Sequence, residues 1–559
     1  MTMRHVEVEI AVIGASLGGV LAAWRACESG RRVALTSEFC WIGGQLTAQG
    51  VPPDEHRLIE FGGASESYLD FRRSMRAHYL AQQDFVDNTE MTEGCNPGDG
   101  WVSRLCIEPQ VALGYLESLL TPHVKSGRLV LLRDTRLLAA DREGTNIRAI
   151  RCQNGEGEVV SIHARFFLDA TDTGQLIRAA GLPYRLGKES RAEFGERDAP
   201  EVANRLDQQP CTVVVAVALG DDTRAIPAAP ILEPPAYRAW RQHRVPHYGY
   251  PLFSNAIPGQ VIGKSVALPM FGEGRTLDLW RYRRVVSSRN WRIPRDEISL
   301  INWAQNDYAI SPLLDGPIPE RDVVAAAKGL TASLVYWLQT AAPNANGGFG
   351  YPQLQLAAGV LGTGGYAQQV YVRESRRIVG LDCLTQSQIL VQPNPHEADA
   401  DVPAAVVPNA VVPNAVVPNG VVPFQADHSV GVAWYNMDIH PTCVSGHAIN
   451  AMVRPFTLPL GCFIARDCDN LIPACKNISV THLVNAATRT HPTEWLIGEV
   501  AALLADYSMQ CGQTLAAIHA DHERVREFQR KLLSAGIPIH WDEPLLRRLT
   551  NIPAHSLEV

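Results

Sequence analysis

Long apolar runs are what this 559-residue chain most lacks. Nothing in it approaches the roughly 18 uninterrupted apolar residues of a membrane-spanning helix, so no membrane partner is expected. The first apolar run, Ile10 to Ile13, ends after four residues in a glycine turn, which is not the form of a secretory leader. Charge of one sign is also scarce. The net charge of -8 is mild, no block of like charge occurs, and nucleic acid is not expected as a partner. The 12 cysteines contain no C-x-x-C pair and no Cys/His spacing of the zinc type. They read as reduced thiols, mostly buried, in a cytoplasmic protein without a metal site. Nothing specifies an oligomeric state.

What is present is a well-packed composition, 46% apolar and 19% charged. The length exceeds one ordinary core, so two or more domains are expected, interleaved or consecutive. Val6 to Ile13 alternates and then becomes apolar, the pattern of a strand entering a buried parallel sheet. Gly14-Ala15-Ser16-Leu17-Gly18-Gly19 follows, then a helix over Val20 to Glu28 stopped by Gly30, then a strand over Arg32 to Thr36. This is a complete βαβ unit in about 30 residues, of the kind that seats a dinucleotide. Gly14 permits the tight turn, Gly19 lets the helix approach the sheet, and the helix amino terminus offers N–H groups to a pyrophosphate. The middle glycine of G-x-G-x-x-G is Ser16 here, small and able to donate a hydrogen bond. The acidic residue that usually ends the second strand falls at Ser37, with Glu38 beside it.

Further along, a helix is expected over Gln110 to Thr121, and strands over Leu129 to Arg133, Arg136 to Ala140, Phe166 to Ala170 and Cys211 to Leu219. Ile147 to Gln153 and Val159 to Arg165 read as a hairpin about Asn154-Gly155-Glu156-Gly157. Residues 402 to 423 carry a five-residue repeat, Val406 to Ala410, Val411 to Ala415 and Val416 to Gly420. A proline at every fifth position forbids a regular helix or central strand, so an extended surface loop is expected. Asn470 to Ala474 reads as a strand, and Pro492 to Tyr507 as a helix with Glu494 near its positive end.

Trp41-Ile42-Gly43-Gly44-Gln45-Leu46-Thr47 and Val51-Pro52-Pro53-Asp54-Glu55-His56 complete a set of motifs. With the glycine turn before them, they make the chain resemble a family of FAD-dependent oxidoreductases. The resemblance continues through Trp101 to Pro109, Asp169-Ala170-Thr171, Asn302 to Tyr308, Arg373 to Arg377, Asp438 to Pro441, Pro459 to Gly461, Asn470 to Asn477 and His491 to Trp495, spanning roughly residues 8 to 507 in order. Ser37 departs from the family-like pattern where Glu is usual, and Cys475 where Gly is usual. The resemblance implies an α/β fold, a Rossmann-like, glutathione-reductase-type FAD-binding domain with an inserted mixed α+β substrate domain. It also implies two-electron redox chemistry on a small-molecule substrate. The expected boundaries are 1–185 with 456–510 for FAD, 186–455 for substrate, and 511–559 as a helical extension.

The expected FAD contacts are Gly14, Ser16, Gly18, Gly19, Ser37, Glu38, Gly43, Gly44, Gln45, Arg104, Ala170, Thr171, Asp172, Cys475, Lys476 and Asn477. For chemistry, His440 is the first candidate to take a substrate proton as hydride leaves carbon, ahead of His482 and His491. Arg104, Arg373, Arg376 and Arg489 are candidates to hold a substrate carboxylate. For Arg373 to Arg377 the plainer reading of the charge spacing is a solvated, charged helix or strand end. A dehydrogenase or oxidase is the leading reading, with a flavin monooxygenase or reductase second. No second βαβ fingerprint for nicotinamide is found, since Gly359 to Gly365 does not sit between a strand and a helix. A flavoprotein of the RNA-modifying type is third, and the absence of a basic, aromatic-interleaved stretch argues against it.

Overall fold

The computed structural model describes residues 4–92, 94–219, 231–259, 264–274, 276–344, 347–391 and 423–551. The proline-punctuated repeat, apart from Pro423, lies outside the described residues. The central sheet is built from β1 (Ile10–Ile13), joined through α1 (Leu17–Glu28) to β2 (Val33–Thr36), with β3 (Leu129–Leu132), β4 (Phe166–Asp169) and, after some 300 residues, β5 (Leu471–Pro473). These five strands form one parallel sheet in the order β5-β4-β1-β2-β3. All four residues of β1, of β2 and of β4 are buried, as expected of strands covered on both faces.

The sequence reading of one strand from Val6 to Ile13 is corrected here. Arg4–Glu7 belongs to a different, four-stranded sheet, paired in parallel with Val159–His163. The change in period marks the change of sheet. The alternating half has one wet face, and the apolar half is buried. Glu9 pins the crossing, with its carboxylate accepting from Arg31 Nη1 at 2.9 Å and from the Arg32 N–H at 3.0 Å. The expected hairpin is present, Asn146–Asn154 against Val159–His163. The helix expected from Gln110 starts at Pro109, a favoured first-turn residue, and runs to Lys125.

A second mixed region lies between β4 and β5. Val215–Leu219 sits between Glu297–Ile301 and Leu354–Leu356 in an antiparallel sheet, covered by the 21-residue helix Glu320–Thr340. Its apolar cluster, including Val215, Val217, Ile301, Leu330, Leu334 and Trp337, is distinct from the one around β1 and α1. The helix α2 (His491–Cys511) returns the chain to α1. The crossing is backbone-close, because a Cβ on Gly498 would lie 2.0 Å from the Gly18 carbonyl oxygen. Two further helices, Leu515–Ala520 and His522–Ser534, pack behind α2 through Tyr507 and Phe528. All 12 cysteines are free and only Cys40 is exposed. No helix among the described residues is long and apolar enough to cross a membrane.

Candidate functional site

The carboxyl ends of β1, β2 and β4 open on a groove of about 450 Å³. Ile13 to Ser16, Thr36 to Phe39, Thr135 to Leu137 and Ala170 to Thr173 line it, with Trp41, Glu320, Arg321 and Gln368 to Val370 across from them. Gly14 leaves no room for a side chain. It has φ +95°, and a Cβ there would lie 2.5 Å from the Ala170 carbonyl oxygen and 2.7 Å from the Thr171 nitrogen. Ser16 caps α1, its Oγ accepting from the Gly19 N–H at 3.2 Å, which leaves its own proton free to donate. The Gly43-Gly44 loop crosses the turn, with the Gly43 N–H donating to the Ala15 carbonyl at 2.8 Å.

At the outer end of the groove Ser37 and Glu38 both line the wall. The Ser37 hydroxyl is occupied locally, donating to the Phe39 carbonyl at 2.7 Å. Glu38 therefore presents the carboxylate there. At the inner end the structure ties several expected residues to one another. Lys476 is fully buried, ion-paired to Asp172 and 3.7 Å from Glu494 Oε2. Glu494 also accepts from the Gly18 N–H at 3.2 Å, from Gln45 Nε2 at 2.5 Å and from Cys475 Sγ at 3.2 Å. Burial disfavours the Lys476 charge, but Asp172 and Glu494 outweigh it and hold the ammonium protonated. Asn477 ties β5 to β4 by donating to the Asp169 carbonyl at 3.0 Å. Asp172, which lines the groove and accepts from Gln369 Nε2 at 2.8 Å, joins this knot to the groove. Arg104 lies elsewhere, with Glu60 and Arg57.

Near the inner end stands a buried charged network that ties the candidates His440, Arg373 and Arg489 to carboxylates. Asp307 accepts from Thr212 Oγ1 at 2.6 Å, pairs with Arg373 Nη2 at 2.9 Å and lies 2.6 Å from His440 Nδ1. His440 Nε2 is 3.4 Å from Asp438 Oδ2, which takes Arg489 Nη2 at 3.0 Å. Arg489 donates on to the Tyr371 hydroxyl at 2.7 Å. Burial alone would raise the Asp307 pKa, but Arg373 and His440 win and bring it down to about 2. For His440, burial and Arg373 oppose the charged ring, yet the carboxylates on both sides raise its pKa above 6.5.

The expectation that Arg373, Arg376 and Arg377 form a solvated end is overturned. They are 3%, 1% and 0% exposed, committed to Asp307, to Asp315, and to Glu189 and Glu374. The charge pattern is local, and the carboxylates that bury it come from distant segments. His482 belongs to the Glu189 cluster, with Nδ1 2.8 Å from Glu189 Oε2. His491 is spent on the backbone. Its Nδ1 accepts from the Asp54 N–H at 2.9 Å and its Nε2–H donates to the Val51 carbonyl at 3.0 Å. Burial brings its pKa down to about 3, so the ring is neutral and has no free nitrogen for a substrate.

Several buried polar atoms in this part of the molecule have no hydrogen-bond partner. They include both ends of the Gln49 amide, Asp54 Oδ1, Nε and Nη1 of Arg283, Asn302 Nδ2 and Asp438 Oδ1. Buried polar groups are ordinarily satisfied, so these atoms are the ones open to a ligand's hydrogen bonds. Asp54, Asn302, Asp307 and Asp438 all stand in motif segments already noted. Arg283 has no such signal.

The groove fits a dinucleotide: a turn with no room for a side chain, a capped helix start and a carboxylate at the far rim. A family model described as FAD dependent oxidoreductase matches residues 9–532. No curated protein matches the chain in sequence. Among solved structures, a geranylgeranyl bacteriochlorophyll reductase-like protein from Thermoplasma acidophilum aligns at 10% identity and a TM-score of 0.31, over 99% of this chain and 90% of that one. L-proline dehydrogenase from P.horikoshii aligns at 16% identity and a TM-score of 0.18, over 31% of this chain and 24% of that one. A myxobacterial chondrochloren halogenase aligns at 16% identity and a TM-score of 0.22, over 39% and 45%. The chain thus covers less than half the length of the last two. Likenesses at these scores carry no argument about reaction or substrate.

Proposed function

The chain belongs to the FAD-dependent oxidoreductase family, whose members bind FAD, and we propose that this protein oxidises a small organic metabolite by two electrons as a dehydrogenase or oxidase. The FAD-binding domain is of the glutathione-reductase type, formed by 1–185 and 456–510, and 186–455 is a substrate domain inserted between them. The pairing of β5 with β4 across some 300 residues supports this, as does the separate apolar cluster between them. Gly14, Ser16, Gly18, Gly19 and the amino terminus of α1 would hold the pyrophosphate, with Glu38 at the ribose. Asp172, Lys476 and Glu494 form the buried base of the same site.

When bound, FAD supplies a two-electron acceptor that takes the hydrogen of a substrate C–H bond as hydride. The remaining hydrogen, on the oxygen or nitrogen of that carbon, leaves as a proton. His440 Nε2 is the proposed acceptor, with Asp438 Oδ2 3.4 Å away. Asp307, 2.6 Å from Nδ1, fixes the ring with that nitrogen protonated and stabilises the imidazolium once formed. Arg373 and Arg489 hold the two aspartates in place.

The observation that carries this reading is a histidine bracketed by two carboxylates beside a cluster of unpartnered buried polar atoms. The test is anaerobic reduction of the bound FAD by substrate in His440→Gln. The expected result is full FAD binding with reduction slowed by on the order of 10²- to 10⁴-fold. The wild-type rate should rise with pH along a limb above pH 6.5, where the raised pKa leaves His440 increasingly neutral, and the variant should lack that limb. An unchanged rate and pH profile would remove His440 from the mechanism.

A further inference from the structure

Beside the His440 network, and sharing Asp438 and Arg489 with it, lies a smaller group of buried charges whose hydrogen bonds are incomplete. Arg283 is 6% exposed and donates through Nη2 to the Tyr282 hydroxyl at 3.3 Å, yet its Nε and Nη1 donate to no acceptor. Nη1 is 3.6 Å from Asp54 Oδ1, an ion pair too long to be a hydrogen bond, and Asp54 Oδ1 accepts from no donor. Asp438 uses one oxygen for Arg489 at 3.0 Å and leaves Oδ1 unpartnered. Tyr282, Tyr371 and Tyr435 lie near these residues, and the Arg283 guanidinium lies 4.8 Å over the Tyr282 ring. A buried charge left without hydrogen bonds is costly, and here orphans of both signs stand together.

Their signs define the ligand. Arg283 and Arg489 balance Asp54 and Asp438, so the group as a whole is neutral. A plain carboxylate would satisfy Arg283 and leave both aspartate oxygens bare. A plain amine would do the reverse. A ligand carrying both charges satisfies all three sites. Because the cation and anion are only 3.6 Å apart, the ligand's two charged groups must lie close together, as they do when both are attached to one carbon. We propose that this group binds the head of an α-amino acid, with the carboxylate on Arg283 and the ammonium between Asp54 and Asp438. The assignment names the substrate class of the site proposed above and rests on that reading. Recognition itself requires only the four residues.

The test uses the FAD-loaded protein and the twenty common L-amino acids with their D-enantiomers, screened by thermal shift and by perturbation of the FAD absorbance. At least one should bind. Its decarboxylated amine and its deaminated carboxylic acid should each bind more weakly, by roughly 30-fold or more, since each leaves a buried charge unpaired. Arg283→Met should weaken the amino acid by a similar factor while leaving FAD absorbance intact. Asp54→Asn should reverse the preference toward the simple carboxylic acid, because the pocket then carries net positive charge. Failure of every one of these compounds to bind wild-type protein would overturn the proposal, as would equal binding of the amino acid and its two truncated analogues. The two readings fail separately. Reduction of FAD by a substrate that is not an amino acid, lost in His440→Gln, would leave the redox reading standing without this one. An amino acid that binds with the expected pattern but never reduces FAD would do the opposite.

Discussion

Replacing Gly14 by alanine isolates what the turn contributes to FAD binding. Gly14 has φ +95°, and an alanine forced there carries a left-handed penalty of about 1–2 kcal/mol. Its Cβ would also lie 2.5 Å from the Ala170 carbonyl oxygen and 2.7 Å from the Thr171 nitrogen, both backbone atoms that cannot rotate away. Relieving these contacts to roughly 3.5 Å means parting β1 from the end of β4 by about 1 Å, and overpacking of this kind costs about 1–3 kcal/mol. Gly30 supplies the control. It has φ +86° and nothing within 4 Å of its would-be Cβ, so Gly30→Ala bears the dihedral penalty alone. The steric difference falls on Ala170 and Thr171, which line the groove. Gly14→Ala should therefore weaken FAD by roughly 5- to 150-fold beyond any effect of Gly30→Ala. FAD would be removed from each protein and titrated back with fluorescence quenching as the readout, with circular dichroism confirming the fold. Equal FAD affinities in two folded variants would show that the segment closed by Gly14 does not border the cofactor.

Other consequences are equally open to measurement. Asp307→Asn removes a carboxylate that raises the His440 pKa, so the rising limb of the pH–rate profile should move to lower pH; it also leaves Arg373 short of a buried partner, at a cost of about 3–5 kcal/mol in urea unfolding. His440 itself stabilises the fold fully below pH 6.5 and loses that contribution as pH rises through its raised folded value, so the stability gap between wild type and His440→Gln should be widest below pH 6.5 and narrow above it. Gly498→Ala would place a Cβ 2.0 Å from the Gly18 carbonyl oxygen and force α1 from α2, lowering stability by about 1–3 kcal/mol in the same urea assay.

The amino-terminal unit was legible because its signals are local. Burial on both faces writes an apolar run into β1, and the glycine turn and the helix stop at Gly30 lie within one stretch of chain. Even the misread strand carried its own correction. The alternation of Val6 to Glu7 and the continuous apolar run from Ile10 are two burial patterns, and the structure puts them in two sheets. The strand at Leu471–Pro473 was legible as a strand, but its place beside Phe166–Asp169 was not, since no local rule fixes a pairing across that separation.

The charged site was illegible for a related reason with a different consequence. Arg373, Arg376 and Arg377 read as solvated because charge spacing describes only a residue's neighbours in sequence. Their partners, Asp307, Asp315 and Glu189, come from two other segments. The same is true of Asp54 and Arg283, 229 positions apart in sequence and 3.6 Å apart in space. A buried ion pair is often no more stabilising than apolar packing of the same volume, so stability alone gives little reason to gather three arginines and three aspartates in one place. It gives still less reason to leave Arg283 Nε, Asp54 Oδ1 and Asp438 Oδ1 without hydrogen bonds there. A ligand that completes those bonds does give a reason. On that argument the residues that sequence periodicity misplaces are the ones to mutate first when the substrate is sought.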